Sequence, residues 1–225
     1  MTKSELLKYI EFDTQKDAEE ASFYIDVKGI ALHRKIMEYL NFDFCAGKSL
    51  NWKKISGTLR RDKGLRDALY IYLAALEEYV RAYISNKYQN NIQQSFWING
   101  KSEHNKIKKN IELGKPLFDV LQNTDFGTLI SQVSKLPLED REYLFENNSG
   151  TQENLKAVKE LRNAVSHHKF LLNYSFHKCE VNGTRSNSLE QNVRNLRQLL
   201  PSEYRFGYSG KAGLTKAVAK CGVII

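Results

Sequence analysis

Arg162, Asn163 and His167 lie close together in the stretch Leu161-Arg162-Asn163-Ala164-Val165-Ser166-His167-His168, and their side chains suit phosphodiester cleavage without a metal. Arginine can hold the charge of a phosphorane, histidine can move protons at neutral pH, and asparagine can fix one of them in place. An arginine followed five residues later by a histidine is a common pattern in a chain with five histidines. Its weight therefore depends on where a helix puts the two groups. Thr151 is the expected N-cap, and Leu155, Val158, Leu161, Val165 and Leu172 follow at helical spacing. At about 100° per residue they form one apolar stripe. The spacing predicts His168 on the edge of that stripe as a packed, hydrogen-bonded residue. It predicts His167 on the opposite, polar face with Asn163 and with Glu160, the supporting carboxylate. Arg162 falls roughly 140° around the helix from His167. One straight helix does not easily aim both at one phosphate, whereas two copies meeting across a two-fold axis would, so a homodimer is expected.

The elements that must position this segment read as helices. Ser4 can cap a first short helix through Tyr9, and Asp17–Ile25 and Ile30–Leu40 follow on either side of Gly29. The strongest helical pattern runs from Leu65 to Tyr88, with Leu65, Leu69, Tyr72, Leu73, Leu76, Val80, Tyr83 and Ile84 on one face. Glu77 and Arg81 on that helix are ordered for an i,i+4 ion pair, the kind that usually stands in solvent. Shorter helical pieces are expected at Leu117–Leu121, Gly127–Leu136 and Leu138–Phe145, and Asn147-Asn148-Ser149-Gly150 breaks the chain before the motif. Asn182-Gly183-Thr184 signals a turn, and a helix over Leu189–Leu200 ends at Pro201.

Composition narrows the classes of function. With 225 residues the chain can bury one substantial core or at most two small ones, and a single all-α domain over 1–225 is expected. No apolar run is long enough for a membrane span, and Met1-Thr2-Lys3 leads into polar sequence, so no signal peptide is expected. Cys45, Cys179 and Cys221 are odd in number and far apart, which suits free thiols and a cytoplasmic address. No Walker loop, G-x-G-x-x-G or H-E-x-x-H motif occurs, and neither cofactor nor metal is expected. The formal charge is +8, and from Lys169 onward nine Lys or Arg stand against three Asp or Glu. A second basic run holds Lys101, Lys106, Lys108 and Lys109. Basic surface beside a phosphate-handling motif favours a nucleic-acid partner, with these four lysines and Arg194, Arg197, Arg205 and Lys211 as its candidate contacts.

Asp62-Lys63-Gly64-Leu65-Arg66, Glu77 with Arg81, Phe96-Trp97, Phe126-Gly127-Thr128-Leu129-Ile130 and finally Leu161-Arg162-Asn163-x3-His167-His168 together resemble the Abi-like proteins of bacteria. These are abortive-infection proteins of the AbiD/AbiF type, a branch of the HEPN superfamily, and the resemblance spans about residues 50–175. It implies an all-α HEPN-like helical bundle, here with additional N-terminal helices and a basic C-terminal extension over residues 176–225. It further implies a metal-independent endoribonuclease that pairs two such motifs in a dimer, with Arg162 and His167 as catalytic residues and Asn163 as the polar residue between them. Lys169 stands where an antitoxin-paired branch of the family often carries tyrosine, so that branch is not implied.

Three functions follow as expectations. The first is an RNA endonuclease of phage defence that leaves a 2′,3′-cyclic phosphate and a 5′-hydroxyl. The second is a non-catalytic RNA-binding module that holds a structured non-coding RNA on the basic tail and the lysine run. The third is a protein-interaction component of a defence system.

Overall fold

In the computed structural model of the chain the described residues are 1–89, 102–146, 151–205 and 219. They are mostly helical, with two short strand pairs. The N-terminal part comprises α1 (Lys3–Leu7), β1 (Ile10–Glu11), α2 (Gln15–Lys28), α3 (Ile30–Tyr39) and β2 (Leu50–Asn51). Thr2, rather than Ser4, caps α1: its hydroxyl accepts from the Glu5 N–H at 3.2 Å while the Glu5 carboxylate accepts from the Thr2 N–H. Gly29, at φ +88°, makes the expected break between α2 and α3. β1 and β2 pair in parallel, with Ile10 opposite Leu50, and tie the first residues to the strand that leads into the next helix.

That helix, α4 (Trp52–Tyr88), starts at Trp52 and not at Leu65. Asn51 caps it by accepting from the Lys53 N–H at 2.9 Å. Gly57 and Gly64 sit inside it, each costing about 1 kcal/mol in helix propensity. Burial outweighs that cost, because Trp52 and Ile55 anchor the first turns and Leu65, Leu69, Leu73, Leu76, Val80 and Ile84 continue the buried face. At 37 residues α4 is roughly 55 Å long. It runs through two apolar clusters. The smaller joins Leu6, Ala21, Ile25, Ile36, Met37, Trp52 and Ile55 with Phe170 from far along the chain. The larger gathers α4 from Leu65 onward with α6 (Leu117–Gln122), α7 (Phe126–Val133), Leu144 and Phe145 at the end of α8 (Leu138–Leu144), α9 (Gln152–Ser166) and α10 (Leu189–Leu199); Ile107 joins it from α5 (Ser102–Glu112).

Strands β3 (Cys179–Val181) and β4 (Thr184–Ser186) form an antiparallel hairpin at the turn signalled by Asn182-Gly183. Both turn residues have positive φ, +51° and +72°, as a two-residue hairpin turn requires. The strands are too short for an alternation to be visible in the sequence, so a wholly helical reading misses them. Residues 176–200 are not an appended basic tail: Phe176, Val193, Leu196, Leu199 and Leu200 lie in the larger cluster. Buried amides hold them there. Asn154 on α9 exchanges hydrogen bonds with the backbone of Glu180, both at 2.9 Å, and Asn195 donates to the Asn154 carbonyl at 2.9 Å. Cys45 is an exposed free thiol and Cys179 a buried one, whose pKa burial pushes up to about 12. Among the described residues no helix is long and apolar enough to cross a membrane.

Candidate functional site

Helix α9 carries the motif, and its N-terminus is as the sequence indicates. Thr151 accepts from the Asn154 N–H at 3.2 Å, Glu153 stands in the first turn, and Leu155, Val158, Leu161, Ala164 and Val165 are buried. The C-terminus differs. The helix stops at Ser166, His167 is its C-cap, and His168 takes the left-handed conformation at φ +52°. The His168 N–H reaches the Val165 carbonyl at 3.2 Å and the Lys169 N–H reaches the Ala164 carbonyl at 2.9 Å, which is the Schellman pattern of helix termination. Glycine or asparagine normally marks such a stop; a histidine here gives no sequence signal.

The consequence is that both histidines are exposed. His168 is not packed against the core, and Leu172 does not extend the stripe of α9. Leu172 instead belongs to a 3-10 turn, Leu171–Asn173, that packs against both clusters. Asn163 and His167 do meet, through the backbone: the Asn163 carbonyl accepts from the His167 N–H at 2.9 Å. Glu160 does not support His167. Its carboxylate accepts from the His177 N–H and, at 3.4 Å, from the Tyr174 hydroxyl.

Arg162 is held more closely than a snorkelling arginine. Its guanidinium lies 5.6 Å from the centre of the Phe126 ring and 3.6 Å from a carboxylate oxygen of Glu77, with 30% of the side chain exposed. Glu77 and Arg81 are correspondingly not a solvated pair. They are 14% and 19% exposed, and Arg81 donates to Glu77 and to the carbonyls of Leu121 and Thr124, at 3.0 and 2.8 Å. This fixes the α6–α7 connection to α4 and leaves the second oxygen of Glu77 toward Arg162.

A second acidic side chain governs the other end of the motif. Asp62 is 2% exposed, pairs with Arg66, and accepts from the backbone N–H of Leu171 at 2.7 Å and of Leu172 at 3.3 Å. Arg66 in turn donates to the Lys169 carbonyl at 3.0 Å. The chain leaving His167 and His168 is thus clamped to α4 at three backbone groups. Burial holds the Asp62 carboxyl above the usual aspartate range, while Arg66 and the two N–H groups pull the other way. The signal was present in the sequence: Asp62 continues the stripe of Leu65 and Leu69 at helical spacing. A helix begun at Leu65 hides it.

Of the expected RNA contacts, Lys109 is exposed, and Lys108 lies 3.7 Å from Glu112. Arg194 pairs with Glu190 at 2.6 Å, and Arg197 is half-buried on α10. Arg205 donates to the carbonyls of Leu200 and Gln198, at 2.6 and 3.1 Å, and pairs with Glu146, so it closes the end of α10 instead of facing a ligand. Lys101, Lys211, Phe96-Trp97 and Cys221 lie outside the described residues, as does the side chain of Lys106. Among the described residues no three His, Cys, Asp or Glu side chains gather as a metal site would. Comparison of the chain with protein-family models, with curated proteins and with solved structures found no match.

Proposed function

We propose that the chain is a metal-independent endoribonuclease of the HEPN type that acts as a homodimer in phage defence. The observation that carries this reading is the geometry at the end of α9. An exposed His167 sits on a firmly terminated helix, and five residues before it Arg162 is oriented by Glu77 and Phe126 with part of its side chain open to solvent. The setting in abortive infection rests on the resemblance of residues 50–175.

In the reaction His167 takes the proton of a ribose 2′-hydroxyl as that oxygen bonds to phosphorus. The bond from phosphorus to the 5′-oxygen breaks, and the leaving oxygen receives a proton from the second copy's histidine. Arg162 holds the charge of the phosphorane, and its anchorage by Glu77 reduces the reorganisation needed. The products are a 2′,3′-cyclic phosphate and a 5′-hydroxyl. Within one copy no contact joins Arg162 to His167 among the described residues, which is why the second copy belongs to the reading.

Purified protein incubated with end-labelled RNA in EDTA tests it. The expected result is cleavage with cyclic-phosphate ends, abolished by His167→Ala and retained by His168→Asn, which keeps the left-handed turn. Activity lost in EDTA and restored by magnesium or manganese overturns the mechanism. Binding without cleavage would leave the RNA-binding module in its place.

A further inference from the structure

A groove between α2, α3 and α4 carries features that the motif does not use. Its apolar lining is formed by Tyr24, Leu32 and Leu59, and its volume is about 90 Å³. That is roughly six times the space one water needs, and the groove is open to solvent on one side, so an occupant need be only partly enclosed. Its rim is basic: Lys28 on α2 and Arg60, Lys63 and Arg66 on α4. Lys63 is paired with Asp67 and Arg66 with Asp62, but among the described residues Lys28 and Arg60 meet no acidic partner, Arg60 leaning on the Ser56 hydroxyl at 3.2 Å. The one carboxylate in the lining, Glu20, accepts from the Trp52 indole N–H at 3.3 Å. Phe23 stands 60% exposed beside the groove, its ring edge-on to Tyr24 at 5.7 Å. The Arg66 end meets the Lys169 carbonyl, two residues beyond His167.

We propose that this groove binds one nucleotide unit of a single-stranded RNA, the base against Tyr24, Leu32 and Leu59 and the flanking phosphates on Lys28 and Arg60. The proposal deepens the nuclease reading and rests on it for the class of substrate. An aromatic and apolar floor beside two cations that meet no acidic partner among the described residues is the chemistry that a stacked base with its phosphates complements. Duplex RNA keeps its bases inside the helix and cannot present one to the floor. An acidic peptide would satisfy the cations and leave the floor uncovered. A strand seated here runs along Arg66 toward His167.

The test is fluorescence anisotropy with a 5′-fluorescein-labelled single-stranded RNA dodecamer, performed with His167→Ala protein in EDTA so that the probe stays intact. Adding Lys28→Glu and Arg60→Glu is expected to weaken binding at least tenfold. It should also flatten the dependence of log affinity on log salt by about 1.4, the share of two phosphate contacts on a single strand. Tyr24→Ala is expected to weaken RNA binding roughly tenfold while leaving competition by inorganic polyphosphate unchanged. The proposal is overturned if the charge-reversed protein, folded by circular dichroism, binds with unaltered affinity and salt slope. It is equally overturned if a blunt-ended RNA duplex and polyphosphate bind as tightly as the single strand. Expected binding without cleavage by the wild-type protein would remove the nuclease reading and leave the groove. Cleavage by wild type with binding indifferent to the groove variants would do the reverse.

Discussion

Asp62–Arg66 and Glu77–Arg81 are both carboxylate–arginine pairs one turn apart on α4, and they act on different parts of the same motif. Fifteen residues separate Asp62 from Glu77, roughly 22 Å along the helix. The first pair spends its spare hydrogen-bonding capacity on backbone, fixing the chain that follows His167. The second spends it on the α6–α7 connection and on the guanidinium of Arg162. Lys63–Asp67, a third pair of the same spacing, is 67% and 61% exposed and touches neither. Identical spacing on one helix thus gives two joints and one solvated pair. Burial, and what the remaining donors and acceptors reach, makes the difference.

Removing a joint should cost far more than removing the solvated pair. Asp62→Ala strands Arg66, the buried N–H of Leu171 and the part-buried N–H of Leu172, and urea unfolding is expected to show a loss of about 3–5 kcal/mol. Asp62→Asn keeps an oxygen for the N–H groups and should lose less. A loss under about 1 kcal/mol for the alanine variant would remove the distinction between joint and surface pair.

Glu77→Gln comes next, at about 1–3 kcal/mol, because a half-buried pair is weakened while its shape is kept. On the nuclease reading it also lowers the cleavage rate more than the affinity for RNA, since Arg162 loses its anchor. Equal effects on rate and affinity would assign Glu77 to the fold alone.

His33 sharpens the comparison from the opposite side. It is fully buried beside the smaller cluster, stacked on Trp52, with Nδ1 at 2.9 Å from the Gly29 carbonyl and Nε2 without a partner among the described residues. Burial lowers its pKa from 6.5, so the fold favours the neutral ring. The stability tied to that neutral form is complete above about pH 6.5 and is lost as pH falls toward the depressed folded value. Thermal unfolding between pH 7.5 and 5 should show this loss, reduced in His33→Leu; an unchanged pH dependence in the variant would clear His33 of the effect. The smallest change is expected for Lys63→Ala, within about 0.5 kcal/mol by urea unfolding. A larger loss would mean that exposure misjudges this pair.

Much of this arrangement was legible in the sequence. Thr151, Pro201, Gly29 and the stripe from Leu65 to Ile84 marked their elements because caps, breakers and helical spacing are local signals. What escaped depends on how the chain packs, or on a helix end without its usual residue. Burial of Trp52 and Ile55 carries α4 through two glycines that local propensity counts as a start. The exposure of His168 follows from a helix end that lacks the usual glycine. Arg205 looked like a ligand contact because nothing nearby in sequence shows that the carbonyls of Gln198 and Leu200 and the carboxylate of Glu146 already occupy it. Among the candidate residues, positions on α9 were readable, whereas partners such as Glu77 and Phe126 were not.

The clamp on the chain beyond His167 also dictates an order of assembly. Asp62 and the two N–H groups it accepts are 109 and 110 residues apart, so the clamp closes a loop of nearly half the chain. Closing so long a loop costs entropy that local helix formation does not, and such contacts form after the helices they join. During synthesis the whole of α4 emerges well before residues 169–172 exist to meet it. A nascent or truncated chain that ends short of them can carry Arg162, Asn163 and His167 in full and still lack the seat that sets the histidine's direction. The surroundings of His167 are thereby completed only once residues 169–172 have been made.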